Sequence, residues 1–377
     1  MNVALIGASA LFYLALVSVF YLFTFVAVSA SRRILSRAPQ SLCKRVTLLA
    51  LLLPPVAALL PTVAGVVLRH SHGSAAMATA THRLPAEAAT VAAHHTMACA
   101  LIFERVGSLT SFGTDSHVVS GVLGAAAWLL AGAGIFYAAR LAVATLRLET
   151  GIAPHLSVPS PALLASLERV NQRLALPAPL RRRFFECALP PERSSVMGLT
   201  RARCVLSREF IQTAPPEEVD ALVAHEAGHL RSGDAYAAFA VGVLNCLFFF
   251  LRPVHLLGRR WREAAELAAD DVAVRGTGND PLAVASAILR IKGTSASVAL
   301  PASLLSFADE ATSAQTRVER LLAQAEAEPA VRRETGAQMV FAWGATGLLS
   351  LLGAGLLVSS EAACVAHCAL ELLKSVR

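Results

Sequence analysis

Four uncharged runs, each long enough to cross a bilayer, limit what this chain can become: residues 3–30, 46–68, 118–139 and 335–360. A hydrocarbon core of about 30 Å takes roughly 20 helical residues, and inside it every backbone group must find its partner within the protein. The 55% hydrophobic and 16% charged composition, with mean hydropathy +0.57, excludes an ordinary soluble domain of this size. No charged side chain occurs in residues 1–31, and Arg32, Arg33, Arg37, Lys44 and Arg45 follow. A cleaved leader places its positive charge first, so this segment is expected to stay as a helix with its N-terminus outside.

The connecting loop carries five basic and no acidic residues and belongs in the cytoplasm. Run 46–68 contains Pro54, Pro55 and Pro61, which should bend it, with neighbours taking the freed carbonyls. Residues 69–117 then lie outside and hold His70, His72, His82, His94, His95 and His117, with Met97 and Cys99. Their spacing is irregular, and a solvated loop is the expectation. Run 118–139 returns the chain to the cytoplasm at Arg140 and Arg147, and 335–360 takes it out again before a short tail with Cys364, His367 and Cys368. The layout is a membrane region at 1–145, a cytoplasmic domain at 146–334, and a last span with its tail at 335–377.

Between the third and fourth runs the composition changes to prolines, arginines and short alternating stretches. An amphipathic helix is expected over 161–176, strands near 183–189, 196–200 and 203–207, and a helix from Pro216 to near Gly233. A helix ending near Gly276 follows, then one opened by Asp280-Pro281 and closed by Gly293, and another at 315–327.

Within the first long helix stands His225-Glu226-Ala227-Gly228-His229. Two histidines four residues apart share a helix face, and both imidazoles can reach one zinc ion. Glu226 is placed to take a proton from an attacking water. Ser232 and Ala235 stand where a metzincin carries Gly and a third His, so the third ligand must come from elsewhere. Downstream, Glu266 and Asp270 are again four apart; one carboxylate can bind the metal while the other orients a histidine. Glu263, one turn before Glu266, is the competing ligand.

Residues 235–251 are uncharged for 17 positions. A crossing there would separate Glu266 from His225 and carry Arg252, Arg259, Arg260 and Arg262 outside. A re-entrant or interface-lying helix is therefore expected. The net charge of +7 is read as topology signal, because no aromatic-interleaved basic patch points to nucleic acid. Seven cysteines without CxxC pairs argue against a disulfide framework or a zinc ribbon.

The stretch from Pro216 through His225-Glu-Ala-Gly-His229-Leu-Arg-Ser-Gly-Asp234 resembles the membrane metallopeptidases typified by the beta-lactam-sensing receptors BlaR and MecR. So do Phe250-Leu-Arg-Pro253-Val-His255, Glu266-Leu-Ala-Ala-Asp270-Asp271 and, upstream, 198–207. The likeness is close over 160–325. It implies an α-helical membrane protein with an inserted cytoplasmic α+β zincin domain of gluzincin type. His225, His229 and Glu266 would be the ligands of one zinc, Glu226 the base, and Asp270 the partner behind a ligand. Strand residues Cys204, Val205, Leu206 and Ser207 could pair with an extended substrate.

The implied protein is a multi-pass protease of a bacterial inner membrane, cutting a cytoplasmic regulator such as a transcriptional repressor. The receptors' large external penicillin-binding domain is not expected, since some 17 residues follow the last span. Arg252 before Pro253 leaves the oxyanion stabiliser unassigned. HtpX-like and CAAX-prenyl proteases share both motifs and are the alternative family. A non-proteolytic, metal-sensing membrane receptor with structural zinc is the other alternative, and Glu226 argues against it because a structural site has no use for a base.

Overall fold

The computed structural model describes residues 3–31, 38–71, 116–188, 190, 194–293 and 310–326. The expected last span at 335–360, its tail, and nearly all of the histidine-bearing loop lie outside them. The chain divides into two compact units: Met1–Arg32, Leu49–Gly134 and Phe341–Arg377 in one, Arg33–Leu48 and Ile135–Val340 in the other.

Three helices among the described residues are long and apolar enough to cross a membrane. They are α1 (Val3–Ala30), α2 (Gln40–Ser71) and α3 (Ser116–Ile152). In the first unit α1 and α2 pack with Val17, Tyr21, Leu51 and Ala58 buried, while Leu22, Phe23, Val26 and Val56 stay exposed, as a lipid-facing side requires. Helix α2 runs unbroken through its prolines. Pro55 has no N–H to give the carbonyl of Leu51 four residues back; the Tyr21 hydroxyl donates to that carbonyl instead, at 2.8 Å. Helix α3 extends 13 residues past the expected end at 139, because Arg140 and Arg147 end an apolar run without ending a helix. It stops at Ile152, just before Pro154.

The second unit is built around three strands, β1 (Phe184–Cys187), β2 (Ser195–Met197) and β3 (Arg203–Ser207), in the order β1-β3-β2. Strand β3 is central, parallel to β1 and antiparallel to β2. This corrects the expectation that Cys204, Val205, Leu206 and Ser207 pair with substrate: both sides of β3 already have strand partners, and the edges of the sheet are β1 and β2.

The helices of this unit are α4 (Pro161–Leu174), α5 (Ala178–Arg181), α6 (Arg208–Thr213), α7 (Pro216–Ser232), α8 (Asp234–Leu247), α9 (Arg252–Gly276), α10 (Pro281–Gly293) and α11 (Glu310–Glu326). Pro216 and the acidic pair Glu217–Glu218 open α7. Asp280 caps α10 by accepting from the amides of Leu282 and Ala283 at 2.9 and 3.1 Å.

Helix α7 runs through the core, with its last two turns carrying His225 and His229. Its Val219, Leu222 and Val223 pack with Leu163, Leu167 and Val170 of α4, Leu206 of β3, and Val284 and Ile288 of α10. Two buried carboxylates fix its rotation. Asp220 accepts from Ser166 and Arg169 at 2.6 and 2.8 Å, and Glu218 accepts from Ser286 at 2.6 Å and from Arg290. Against its other side lies α9. The approach is close enough that a Cβ on Gly276 would come within 2.3 Å of the Ala224 Cβ, so only glycine fits there.

Between α7 and α9 lies α8, whose 14 residues rise about 21 Å, short of the roughly 30 Å needed to cross. Gly233, at φ +71°, ends α7 in the left-handed conformation that glycine adopts without penalty, and α8 starts at the next residue.

Candidate metal centre

Helix α7 places the His225 and His229 rings side by side, their Nε2 atoms 3.1 Å apart. Across from them α9 presents Glu266. Its Oε2 lies 3.5 Å from His225 Nε2 and its Oε1 3.5 Å from His229 Nε2. Among the described residues, these three form the group whose ligand atoms all fall within 4.8 Å of one another. Glu263 is exposed and outside that group.

The separations test whether zinc fits. Tetrahedral bonds of 2.0–2.1 Å place neighbouring ligand atoms about 3.3 Å apart; the 3.1 Å between the two nitrogens and the 3.5 Å from each nitrogen to one of the two Glu266 oxygens bracket that value, and either oxygen can serve as the third ligand atom. A nitrogen–nitrogen–oxygen set also leaves a fourth position open, as catalytic zinc requires.

Each ring is held from behind by a carboxylate. His225 Nδ1 lies 3.0 Å from Asp270 Oδ1, and His229 Nδ1 lies 2.8 Å from Asp234 Oδ2. An Nδ1–H donated to a carboxylate leaves the Nε2 lone pair pointing inward. Asp270 is fully buried and Asp234 nearly so, and each has a cation. From α11, Arg317 donates Nε and Nη2 to Asp270 at 2.8 and 2.7 Å and Nη1 to Glu266 at 2.8 Å. From α2, Lys44 donates to both oxygens of Asp234 at 2.9 and 3.1 Å.

These contacts set the charges. Burial disfavours a proton on His225, yet its hydrogen bonds to Asp270 and Glu266 prevail and push its pKa up to about 10. Desolvation would raise Glu266 and Asp270, but Arg317 and the imidazoles hold both carboxylates below their usual range. Glu226 behaves oppositely: burial pushes its carboxyl up. The residue is 5% exposed, and among the described residues Oε2 has no hydrogen-bond partner. A buried acceptor without a donor carries a desolvation cost, and a general base is one use for such an atom.

Asp234, Lys44 and Arg317 do not emerge from the motif reading. Asp234 follows the glycine that ends α7, a position a local signal could have flagged. The two cations stand 190 and 47 residues from the carboxylates they pair with, and no local pattern marks them.

No curated protein and no solved structure matches the chain. A family model does, from α1 to the middle of α11, taking in every residue just placed around the two histidines. With that match covering residues 13–321, the chain belongs to the BlaR1 peptidase M56 family of membrane-associated metallopeptidases.

Proposed function

We propose that the chain is an integral-membrane zinc endopeptidase in which His225, His229 and Glu266 hold one ion and Glu226 is the general base. The observation that carries this is the convergence of His225, His229 and Glu266 together with the buried carboxyl of Glu226, the residue after His225, whose Oε2 has no hydrogen-bond partner among the described residues. Zinc held by His225, His229 and Glu266 would supply the Lewis acidity that the attack of water on a peptide carbonyl needs. Glu226 takes the proton that the attacking water loses and passes it to the departing amine nitrogen as the C–N bond breaks. Burial, which pushes its carboxyl up, suits a group that must both accept and return a proton. Asp270 and Asp234 hold the imidazoles in register. An extended substrate would add along the edge strand β2, beside Val196 and Met197.

The metallopeptidase domain faces the cytoplasm in this reading, with α8 dipping into the bilayer interface and returning at Arg252-Pro253. Its support is the length of α8 and the basic residues Arg252, Arg259, Arg260 and Arg262 after it. The substrate is a cytoplasmic regulator, by family resemblance a transcriptional repressor. Glu226→Gln, purified with its metal and assayed on a peptide library, should retain one zinc per chain and lose proteolysis. Wild-type activity in that variant would refute the role given to Glu226.

A further inference from the structure

The His229 side of the centre is tied to a helix that belongs to the membrane region by sequence. Lys44 is the fifth residue of α2, within a segment, Gln40–Leu59, apolar and long enough to span. Its side chain is nevertheless 90% buried, and its ammonium is bonded to both carboxylate oxygens of Asp234, whose side chain is 91% buried. The same Asp234 Oδ2 faces His229 Nδ1 at 2.8 Å. Two contacts therefore lead from a span helix to a metal-facing imidazole.

A lysine here is costly unless it has a purpose. A buried ion pair contributes little to stability over an apolar pair of similar shape, whereas a lone buried charge is strongly unfavourable. A carboxylate this deeply buried needs another group to compensate its charge. Lys44 does this from an element distant in sequence, although Arg231 lies close by on α7 and is exposed. The pairing also restricts where the carboxylate can sit: Gly233 sets the direction of the chain leaving α7, and Lys44 sets the rotamer of Asp234.

We propose that Lys44 is a positioning residue of the metal centre, acting through Asp234 to fix the tautomer and orientation of His229. This rests on the metallopeptidase reading above. Loss of an outer partner of a ligating histidine typically lowers metal affinity 10–100-fold, and Lys44→Met should fall in that range. Lys44→Arg, which restores the charge, should recover most of the affinity. Asp234→Asn should reproduce the loss, and Lys44→Met combined with Asp234→Asn should be no weaker than Asp234→Asn alone, because both act through one hydrogen bond.

The measurement is Co2+ and Zn2+ affinity of the full-length, detergent-solubilised protein by competition with a chromophoric chelator. It is read together with the Co2+ visible spectrum, which reports the geometry at His229, and with the thermal unfolding of the metal-free proteins. A Lys44→Met protein that unfolds at the wild-type temperature, binds Co2+ more weakly and shows a shifted spectrum supports the proposal. Unchanged affinity and spectrum in Lys44→Met, or losses from the two substitutions that simply multiply, overturns it. Should Lys44→Met fail to fold, the Lys44→Arg and Asp234→Asn proteins decide, and an affinity lost equally in both overturns it. A wild type that binds no metal defeats the metallopeptidase reading and this one together, whereas a metal-binding wild type with an indifferent Lys44→Met defeats this one alone.

Discussion

The two histidines of the centre have the same chemistry and different anchorage. Behind His225 stands Asp270, one turn after Glu266 on α9, clasped by Arg317 through two parallel hydrogen bonds. Behind His229 stands Asp234, at the first position of α8, held by the single ammonium of Lys44 from α2. A guanidinium fork fixes a carboxylate in plane and in rotation, while an ammonium fixes a distance. Arg317 also touches Glu266, so the His225 side carries two of the three ligand residues on one cation. The difference teaches that the two sides of one proposed ligand set can be anchored unequally within a single compact unit, one by a guanidinium fork and the other by a lone ammonium.

Removing Asp270 should break the stiffer side most severely. Asp270→Ala leaves Arg317 buried with half its partners gone, and breaking a buried pair costs about 3–5 kcal/mol. Thermal unfolding of the metal-free protein should show it, with Asp270→Ala less stable than Asp234→Ala. An equal or smaller loss at Asp270 would erase the distinction between the two sides.

A second expectation concerns protons. In the metal-free protein His225 titrates at about 10, so at pH 7 it is charged, and a ligand must shed that proton. Metal uptake at pH 7 should therefore release a proton from His225, and affinity should fall about tenfold for each unit of pH lowered. The sign for stability is the reverse. The folded pKa lies above the usual 6.5, so protonated His225 stabilises the metal-free fold below that value, and the contribution fades as pH rises through 10. Titration calorimetry in buffers of different ionisation enthalpy counts the protons, and a pH-independent affinity would contradict the charge assigned to His225.

The smallest effect falls on the other side. Gly233→Ala places a Cβ at φ +71° and should cost about 1 kcal/mol, misaligning Asp234 and weakening metal binding modestly. The same substitution should leave the His225–Asp270 contact intact. Nuclear magnetic resonance of the two Nδ1–H protons separates the cases, and loss of both signals together would mean that the sides are not independent.

Much of this was legible in sequence because its causes are local. Pro216, Gly233, Gly276 and Asp280 mark the ends of α7, α9 and α10, and four-residue spacings put His225 with His229 and Glu266 with Asp270 on shared faces. The limit of α3 was not legible, since loss of apolar character at Arg140 marks where the hydrocarbon run ends and says nothing of the helix. Strand order was not legible either. Segment 203–207 reads as a strand from its own residues, but its central place depends on β1 and β2, which pair with it from either side. The cations escaped for the same reason: Lys44 looks like ordinary inside charge until the fold brings Asp234 to it.

The central claim is the ligand set itself, and X-ray absorption at the zinc edge of the purified full-length protein tests it most directly. Two imidazole nitrogens and carboxylate or water oxygen should appear at about 2.0–2.1 Å, with the histidine scattering halved in a His229→Ala protein that still retains metal. A sulfur shell at about 2.3 Å, or an unchanged spectrum after substitution of His229, would contradict it.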